Sequence, residues 1–320
     1  MQTIAITGAT GFVGSALFQT LRVNPKYTVK GFCRTLPKEG TTEGLLALGN
    51  LESADFTEAL AGVDVVIHTA ARAHIMEDEA VDPLAEYRRV NVDGSLNLAR
   101  QAAQAGVKRF VFVSSIKVNG ESTPLGEPFT TEQAPAPEDA YGISKHEAEE
   151  ALRALCAETG MELVIVRPVL VYGPGVKANF LSMMAWVNRG IPLPLGAVKN
   201  KRSLVALDNL VDLLVVCAEH PQAVGEVFFA SDNNDLSTTE MLRAIGKGLG
   251  KSARLLPVPM GLLSMAFSLI GKKAIVQRLG GSLQVDAEKN QRLLSWQPPV
   301  STAQAMQQTA QHFLSSQLKK

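Results

Sequence analysis

Tyr141 and Lys145 stand four residues apart in Tyr141-Gly142-Ile143-Ser144-Lys145, and a serine pair, Ser114-Ser115, lies upstream at the end of an apolar run. On a helix that spacing puts the phenol and the ammonium on one face, a turn apart. Such a set suits reversible hydride transfer between a carbinol and a carbonyl. Tyr141 gives or takes the proton, Lys145 steadies the phenolate and holds a nicotinamide ribose, and Ser115 hydrogen-bonds the reacting oxygen. A free tyrosine titrates near pH ~10, so work near neutrality asks on the order of 4 kcal/mol from the surroundings. A neighbouring ammonium and a cationic nicotinamide both push in that direction.

A second group opens the chain. Gly8-Ala9-Thr10-Gly11-Phe12-Val13-Gly14 follows an apolar run and precedes a helical pattern. Glycine allows the tight turn, close approach of backbone to a pyrophosphate and close helix–strand packing. The helix N-terminus then offers N–H groups and a partial positive charge to phosphates. Gly8, Thr10, Gly11, Phe12, Val13 and Gly14 are therefore candidate dinucleotide contacts. The next strand ends Gly31-Phe32-Cys33-Arg34, with Lys38 nearby and no acidic residue. NAD enzymes place a carboxylate there for the ribose hydroxyls, whereas an arginine pairs with a 2′-phosphate. The cofactor expected is NADP or NAD, with NADP favoured and Arg34 as its contact; a solvated surface arginine is the plainer alternative.

Elements must carry these groups to one place. Apolar runs Thr3–Thr7, Thr28–Cys33, Val63–His68, Phe110–Ser114 and Leu163–Arg167 read as buried strands. Val13–Arg22, Leu84–Gln104 and Tyr141–Ala157 read as helices between them. The alternation predicts an α/β fold, a Rossmann-type doubly wound parallel sheet, over residues 1–167. Gly173-Pro174-Gly175 and Ile191-Pro192-Leu193-Pro194 break the rhythm, and helices follow at 178–189, 208–219, 238–248, 260–270 and 301–318. Residues 168–320 therefore form a smaller mixed α/β substrate domain, with 203–220 a candidate to pack back on the sheet.

Composition excludes several classes. The chain has 320 residues, with 31 basic and 31 acidic, so no net field recruits nucleic acid. Met1 leads directly into a strand without a signal-peptide pattern, and a cytoplasmic location is expected. Pro257–Ile270 is the longest apolar window, short of the roughly 18–20 residues that span a bilayer, and is read as a packed core helix rather than an interfacial one. Cys33, Cys156 and Cys217 have neither disulfide nor zinc spacing. His74 with Glu77, Asp78 and Glu79 lacks regular ligand spacing and reads as a solvated loop, so no metal is expected. His68, ending its strand, reads as a packed residue near the cofactor rather than a base.

These residues resemble the extended short-chain dehydrogenase/reductases, within them the UDP-glucose 4-epimerase-like group. The resemblance runs nearly end to end, through GATGFVG at 8–14, Asp64 to Ala71, Asn91-Val92-Asp93-Gly94, SSIKVNG at 114–120, YGISK at 141–145 and Val171-Tyr172-Gly173-Pro174-Gly175. By position it implies Ser115, Tyr141 and Lys145 as the catalytic triad. It implies Ala70 and Ala71 as cofactor contacts, Asn91 as a structural or proton-relay residue, and Asn50-Leu51 beside the adenine. Asn179, Phe180 and Arg202 fall where relatives contact the nucleotide diphosphate. Arg278 is a second candidate there; surface ion pairs are the alternative for both arginines. Arg72 is a candidate for either ligand.

Departures narrow the reaction. Ile116-Lys117 replace the Asp-Glu pair of the 4,6-dehydratases, and the family's usual tyrosine is Asn119. A segment around Arg72-Ala73-His74-Ile75-Met76 is similar to a bacterial surface-polysaccharide branch that includes UDP-N-acetylquinovosamine-forming 4-reductases. The expected function is NAD(P)-dependent 4-reduction of a UDP-4-keto-6-deoxy-hexose. The alternatives are 4-epimerisation of UDP-glucose or UDP-N-acetylglucosamine with retained NAD and, from another class, a non-catalytic NADPH-binding sensor. A UDP-sugar partner and a homodimer are implied.

Overall fold

The computed structural model describes residues 1–73, 82–269 and 279–318. His74 and its acidic neighbours, and Arg278, lie outside them. Strand β1 (Gln2–Thr7) pairs in parallel with β2 (Tyr27–Cys33) on one side and β4 (Val65–His68) on the other. The sheet extends through β3 (Leu45–Ala47) at one edge and through β5 (Arg109–Val113), β6 (Glu162–Pro168) and β9 (Val227–Ala230) at the other. Its order is β3-β2-β1-β4-β5-β6-β9, the doubly wound arrangement expected. Interior strands read as unbroken apolar runs because helices cover both faces.

On one face α1 (Phe12–Arg22) and α6 (Leu207–Glu219) bury Leu17, Leu21, Leu210 and Leu214 against Ile4, Ile6 and Val164. On the other, α3 (Gly94–Gln104) and α4 (Ala140–Thr159) bury Leu98, Ala102, Ala148 and Leu152 against Val66, Phe110 and Phe112. A third core joins α5 (Ala178–Asn188) and α7 (Thr238–Gly248) to the two-stranded sheet of β7 (Leu170–Tyr172) and β8 (Leu204–Ala206). The chain is completed by α8 (Met260–Leu269), α9 (Glu288–Leu294) and α10 (Thr302–Leu318).

Three differences from expectation have physical causes. The single helix expected over Leu84–Gln104 is broken into α2 (Pro83–Arg88), a π-helical turn (Arg89–Asp93) and α3. One wide turn rotates the following face without disturbing the apolar pattern enough to be read. Val227–Ala230 is a sheet strand, too short for its run to stand out beside the helices flanking it. The apolar window at α8 is not simply core: Leu263 is buried, but Leu262 and Met265 are 55% and 60% exposed. Among the described residues no helix is long and apolar enough to cross a membrane.

Candidate active site

The glycine turn forms as its residue types require. Gly8 has φ +68°, open to glycine at little cost. A Cβ on Gly14 would stand 2.2 Å from the Gly8 carbonyl oxygen, so helix and strand close to a distance that only hydrogen permits. Gly11 N-caps α1 without a side-chain cap, and the first turn carries no acidic residue. The helix thus presents bare N–H groups to the turn, a cradle for phosphate.

This cradle opens into a cleft of about 400 Å³ at the carboxyl end of the sheet. Of the expected cofactor residues, Gly8, Thr10, Gly11, Arg34, Asn50, Leu51, Ala70 and Ala71 line it. Arg72 lines it too, and its guanidinium lies 5.3 Å from the Tyr87 ring centroid. Phe12 is different: its side chain packs against two of the cores. Gly14 acts through close packing rather than as part of the wall. Glu52 and Arg89 were not anticipated; both line the cleft and pair with each other, and Arg89 also meets Glu86 at 2.8 Å. Arg89 was hidden because its position depends on the π-helical turn.

Asn91, on that turn, is buried and binds outward in two directions. Its Oδ1 accepts from the Arg72 backbone N–H at 2.8 Å, and its Nδ2 donates to Ser144 Oγ at 3.0 Å. Ser144 in turn donates to the Tyr141 carbonyl at 2.8 Å. One amide therefore ties the cleft wall to the first turn of α4. His68 is wholly buried, with Nδ1 2.6 Å from Thr7 Oγ1 and Nε2 2.9 Å from Ser95 Oγ. Burial, then the Lys145 charge, drives its pKa down to about 3. It is a neutral strut.

Asp139 starts α4 by accepting from the Gly142 N–H at 2.7 Å, and Lys117 holds that carboxylate at 2.5 Å. Tyr141 follows at once, half-buried, its ring edge-on to Tyr87 with centroids 5.8 Å apart. Ser115, at the end of the extended backbone leaving β5, is hydrogen-bonded by side chain to Tyr141. Lys145 is 1% exposed, its Nζ 4.2 Å from the Phe112 ring centroid. Ser115 and Tyr141 thus meet, and Lys145 lies buried one turn further along α4.

The electrostatics differ from expectation. Burial pushes the Tyr141 phenol up to about 12, against the Ser115 hydrogen bond, and drives Lys145 down to about 7, with Glu149 opposing. The protein's own groups favour neutral phenol and weakly basic amine, so Tyr141 stands ready to donate. Beneath Lys145 sits a set that the residue pattern did not reveal. Arg167 donates Nε to Glu149 Oε1 at 2.9 Å and Nη2 to Oε2 at 2.5 Å, while Ser114 donates to Oε1 at 2.5 Å. Arg167 Nη1 also reaches Asn119 Oδ1 at 2.9 Å, which gives the asparagine standing in the family's tyrosine position a definite partner.

The substrate-side residues are less gathered. Phe180 is 2% exposed and stacked on Tyr172 at 5.5 Å, so its ring belongs to a core and only its backbone can face a ligand. Asn179 is exposed on the first turn of α5. Arg202 is partly buried, its Nη1 3.3 Å from the Gly281 carbonyl, and burial lowers its pKa. No metal-ligand cluster occurs among the described residues.

Comparison with known proteins agrees with this architecture. A "UDP-glucose 4-epimerase" of Vibrio cholerae is 50% identical over 316 residues, covering 98% of this chain and 96% of that one. An Escherichia coli O157:H7 protein, "N-acetyl-alpha-D-glucosaminyl-diphospho-ditrans,octacis-undecaprenol 4-epimerase", is 29% identical over 84% of this chain and 80% of its own. The fold superposes on a Bacillus cereus UDP-glucuronic acid 4-epimerase solved with UDP-glucuronic acid and NAD, with TM-score 0.78, 21% identity, and 98% of this chain and 100% of that one covered. A family model described as the NAD dependent epimerase/dehydratase family matches residues 4–229. The chain is a member of the NAD dependent epimerase/dehydratase family, an enzyme family working on nucleotide sugars through NAD.

Proposed function

We propose that the enzyme interconverts a UDP-hexose, glucose or its N-acetyl form, with the C4 epimer. The observation that carries this is the Ser115–Tyr141 hydrogen bond, one turn from the buried Lys145 on α4, whose first turn Asn91 ties to the Arg72 wall of the glycine-lined cleft. The Vibrio cholerae relative supports epimerisation over the 4-reduction expected first, so the order of those two readings is reversed.

The cleft fits a dinucleotide: the Gly14 packing, the uncapped α1 terminus and the walls of Ala70, Ala71, Asn50 and Leu51 suit pyrophosphate and adenosine. Bound there, NAD would supply the hydride acceptor and donor that a C4 epimerisation needs. With the phenolate favoured by the cofactor's positive charge, Tyr141 Oη would take the O4 proton of a sugar being oxidised at C4. Ser115 holds O4, and Lys145 holds the ribose and stabilises the phenolate. Tyr141 would return that proton to O4 when the 4-keto sugar is reduced. Burial of Lys145 keeps water away from its amine. Asn91 fixes the first turn of α4 against the cleft.

A second reading, reduction of a UDP-4-keto-6-deoxy-hexose by NADPH, is favoured by one observation: Arg34 at the cleft wall, with no carboxylate on β2. One experiment separates them. The protein is purified without nucleotide and denatured, and the released cofactor is identified. Stoichiometric NAD resistant to dialysis, followed by UDP-glucose to UDP-galactose conversion, is the epimerase result. An empty protein that binds NADPH more tightly than NADH overturns it. Tyr141→Phe is expected to lower turnover 10²–10⁴-fold (order of magnitude,) with cofactor affinity kept; unchanged cellular activity in that variant would instead support a non-catalytic sensor.

A further inference from the structure

Net charge zero conceals a strong local asymmetry. Residues 173–207 contain five lysines and arginines and residues 241–269 four, yet neither segment has a single aspartate or glutamate. An even spread of the 31 acidic residues would put about six in these stretches. The two segments are joined in space. Leu193 and Leu255 are bridged, the Leu193 N–H donates to the Arg254 carbonyl at 2.8 Å, and the Leu256 N–H donates to the Leu193 carbonyl at 2.8 Å.

Apolar side chains project from this same junction. Trp186 and Ile191, linked by the Ile191 N–H to Trp186 carbonyl bond at 3.1 Å, are 38% and 39% exposed. Leu256 is 51% exposed, and Pro257 to Pro259 lead from it into α8, where Leu262 and Met265 share a face one turn apart and are 55% and 60% exposed. Arg189, Lys247, Lys251 and Arg254, on the same two segments, are exposed as well. Lys251 bonds the Asn188 carbonyl at 2.7 Å, and no carboxylate in the described residues pairs with any of the four. None of these residues lines the cofactor cleft.

We propose that this face, formed by the end of α5, the 254–256 segment and the start of α8, docks on the surface of an anionic lipid bilayer. Apolar side chains fringed by cations are what such a surface takes: the apolar tips enter the headgroup boundary while lysine and arginine meet lipid phosphates. A second copy of the chain is the poorer occupant, since a two-fold contact sets like cations against one another with no carboxylate to meet them. The inference is independent of which sugar is turned over. It makes the enzyme a peripheral membrane protein.

Trp186 reports directly, because the other tryptophan, Trp296, is 5% exposed with Nε1 bonded to Asp212. The full-length protein is titrated with vesicles of phosphatidylcholine alone and with vesicles one-quarter phosphatidylglycerol. The expected result is a blue shift of Trp186 emission and co-sedimentation with the anionic vesicles only, reversed by salt and accompanied by quenching from brominated lipid. Leu262→Asp and Met265→Asp each lower partitioning about tenfold. Arg189→Gln with Arg254→Gln lowers it about fivefold per charge removed. All three variants keep their turnover of soluble UDP-sugar. If the aspartate variants fail to fold, the glutamine pair decides. No sedimentation with anionic vesicles at low salt, or partitioning that the glutamine pair leaves unchanged, overturns the proposal. So does a Trp186 shift that follows protein concentration without lipid, which would identify a second copy as the occupant.

Discussion

Replacing Glu149 by glutamine tests the support beneath Lys145, the proposed active-site lysine. Glu149 and Arg167 are 0% and 2% exposed, and their fork of two hydrogen bonds is the main satisfaction of the guanidinium. Glutamine keeps an acceptor for Ser114 or Arg167 but turns an NH₂ onto the other. Breaking one partner of a buried pair costs about 3–5 kcal/mol, because the remaining charge is left uncompensated. For a chain of this size that lowers the melting temperature on the order of 10 °C. Glu149 is also the influence that holds the Lys145 pKa up against burial, so glutamine takes it below about 7. The limb of the pH–rate profile that needs the ammonium should then move to lower pH. Thermal unfolding by circular dichroism and the pH dependence of turnover are read together. Glu149→Leu with Arg167→Met should regain most of the stability, since an apolar pair replaces an ionic one at little net cost, but not the profile. A melting point within about 1 °C of wild type, or an unmoved pH profile at equal folding, refutes the reasoning.

Further consequences are sharp enough to fail. Gly14→Ala puts a methyl 2.2 Å from the Gly8 carbonyl oxygen and 2.6 Å from Thr69 Oγ1, so NAD affinity measured by calorimetry should fall at least about tenfold, as close backbone approach is lost; unchanged affinity would show that the turn has room. His68 has its folded pKa depressed from 6.5 to about 3, so the unfolded chain binds the extra proton in that window. Stability from this group is present above pH 6.5 and is lost at about 1.4 kcal/mol per pH unit as pH falls towards 3; His68→Gln should remove one proton from that slope in urea titrations. Asn119→Ala leaves Arg167 Nη1 without its side-chain acceptor and should cost about 1–3 kcal/mol in the same assay, with KM unchanged.

Much of the fold was legible because its signals are local. An apolar run at Thr3–Thr7 followed by Gly8 to Gly14 specifies strand, turn and helix within fourteen residues, and the sheet order follows from the alternation that continues behind it. The placement of Ser115 at a strand end and of Tyr141 and Lys145 on one helix was legible for the same reason, since strand end and helix face are set by spacing. Phe180 was not: residue type and position allowed a ligand contact, but packing against Tyr172 claims the ring. Glu149 was also invisible, although it continues the Tyr141–Lys145 face by one more turn. Its meaning depends on Arg167, which arrives on another strand, and an ion pair between distant elements leaves no periodic trace.

The same limit applies to the direction in which the protein's own groups shift Tyr141. A tyrosine and a lysine four residues apart imply an ammonium beside a phenol, and by Coulomb's law alone the phenol should become more acidic. Enclosing both groups reverses the balance, because desolvation penalises phenolate and ammonium alike: Tyr141 goes up to about 12 and Lys145 down to about 7. The pair is then poised rather than activated. Positive charge placed beside Tyr141 favours its phenolate, and Glu149 favours the Lys145 ammonium from below. A residue pattern can name the groups that exchange the proton, but the depth at which the fold buries them decides which one holds it.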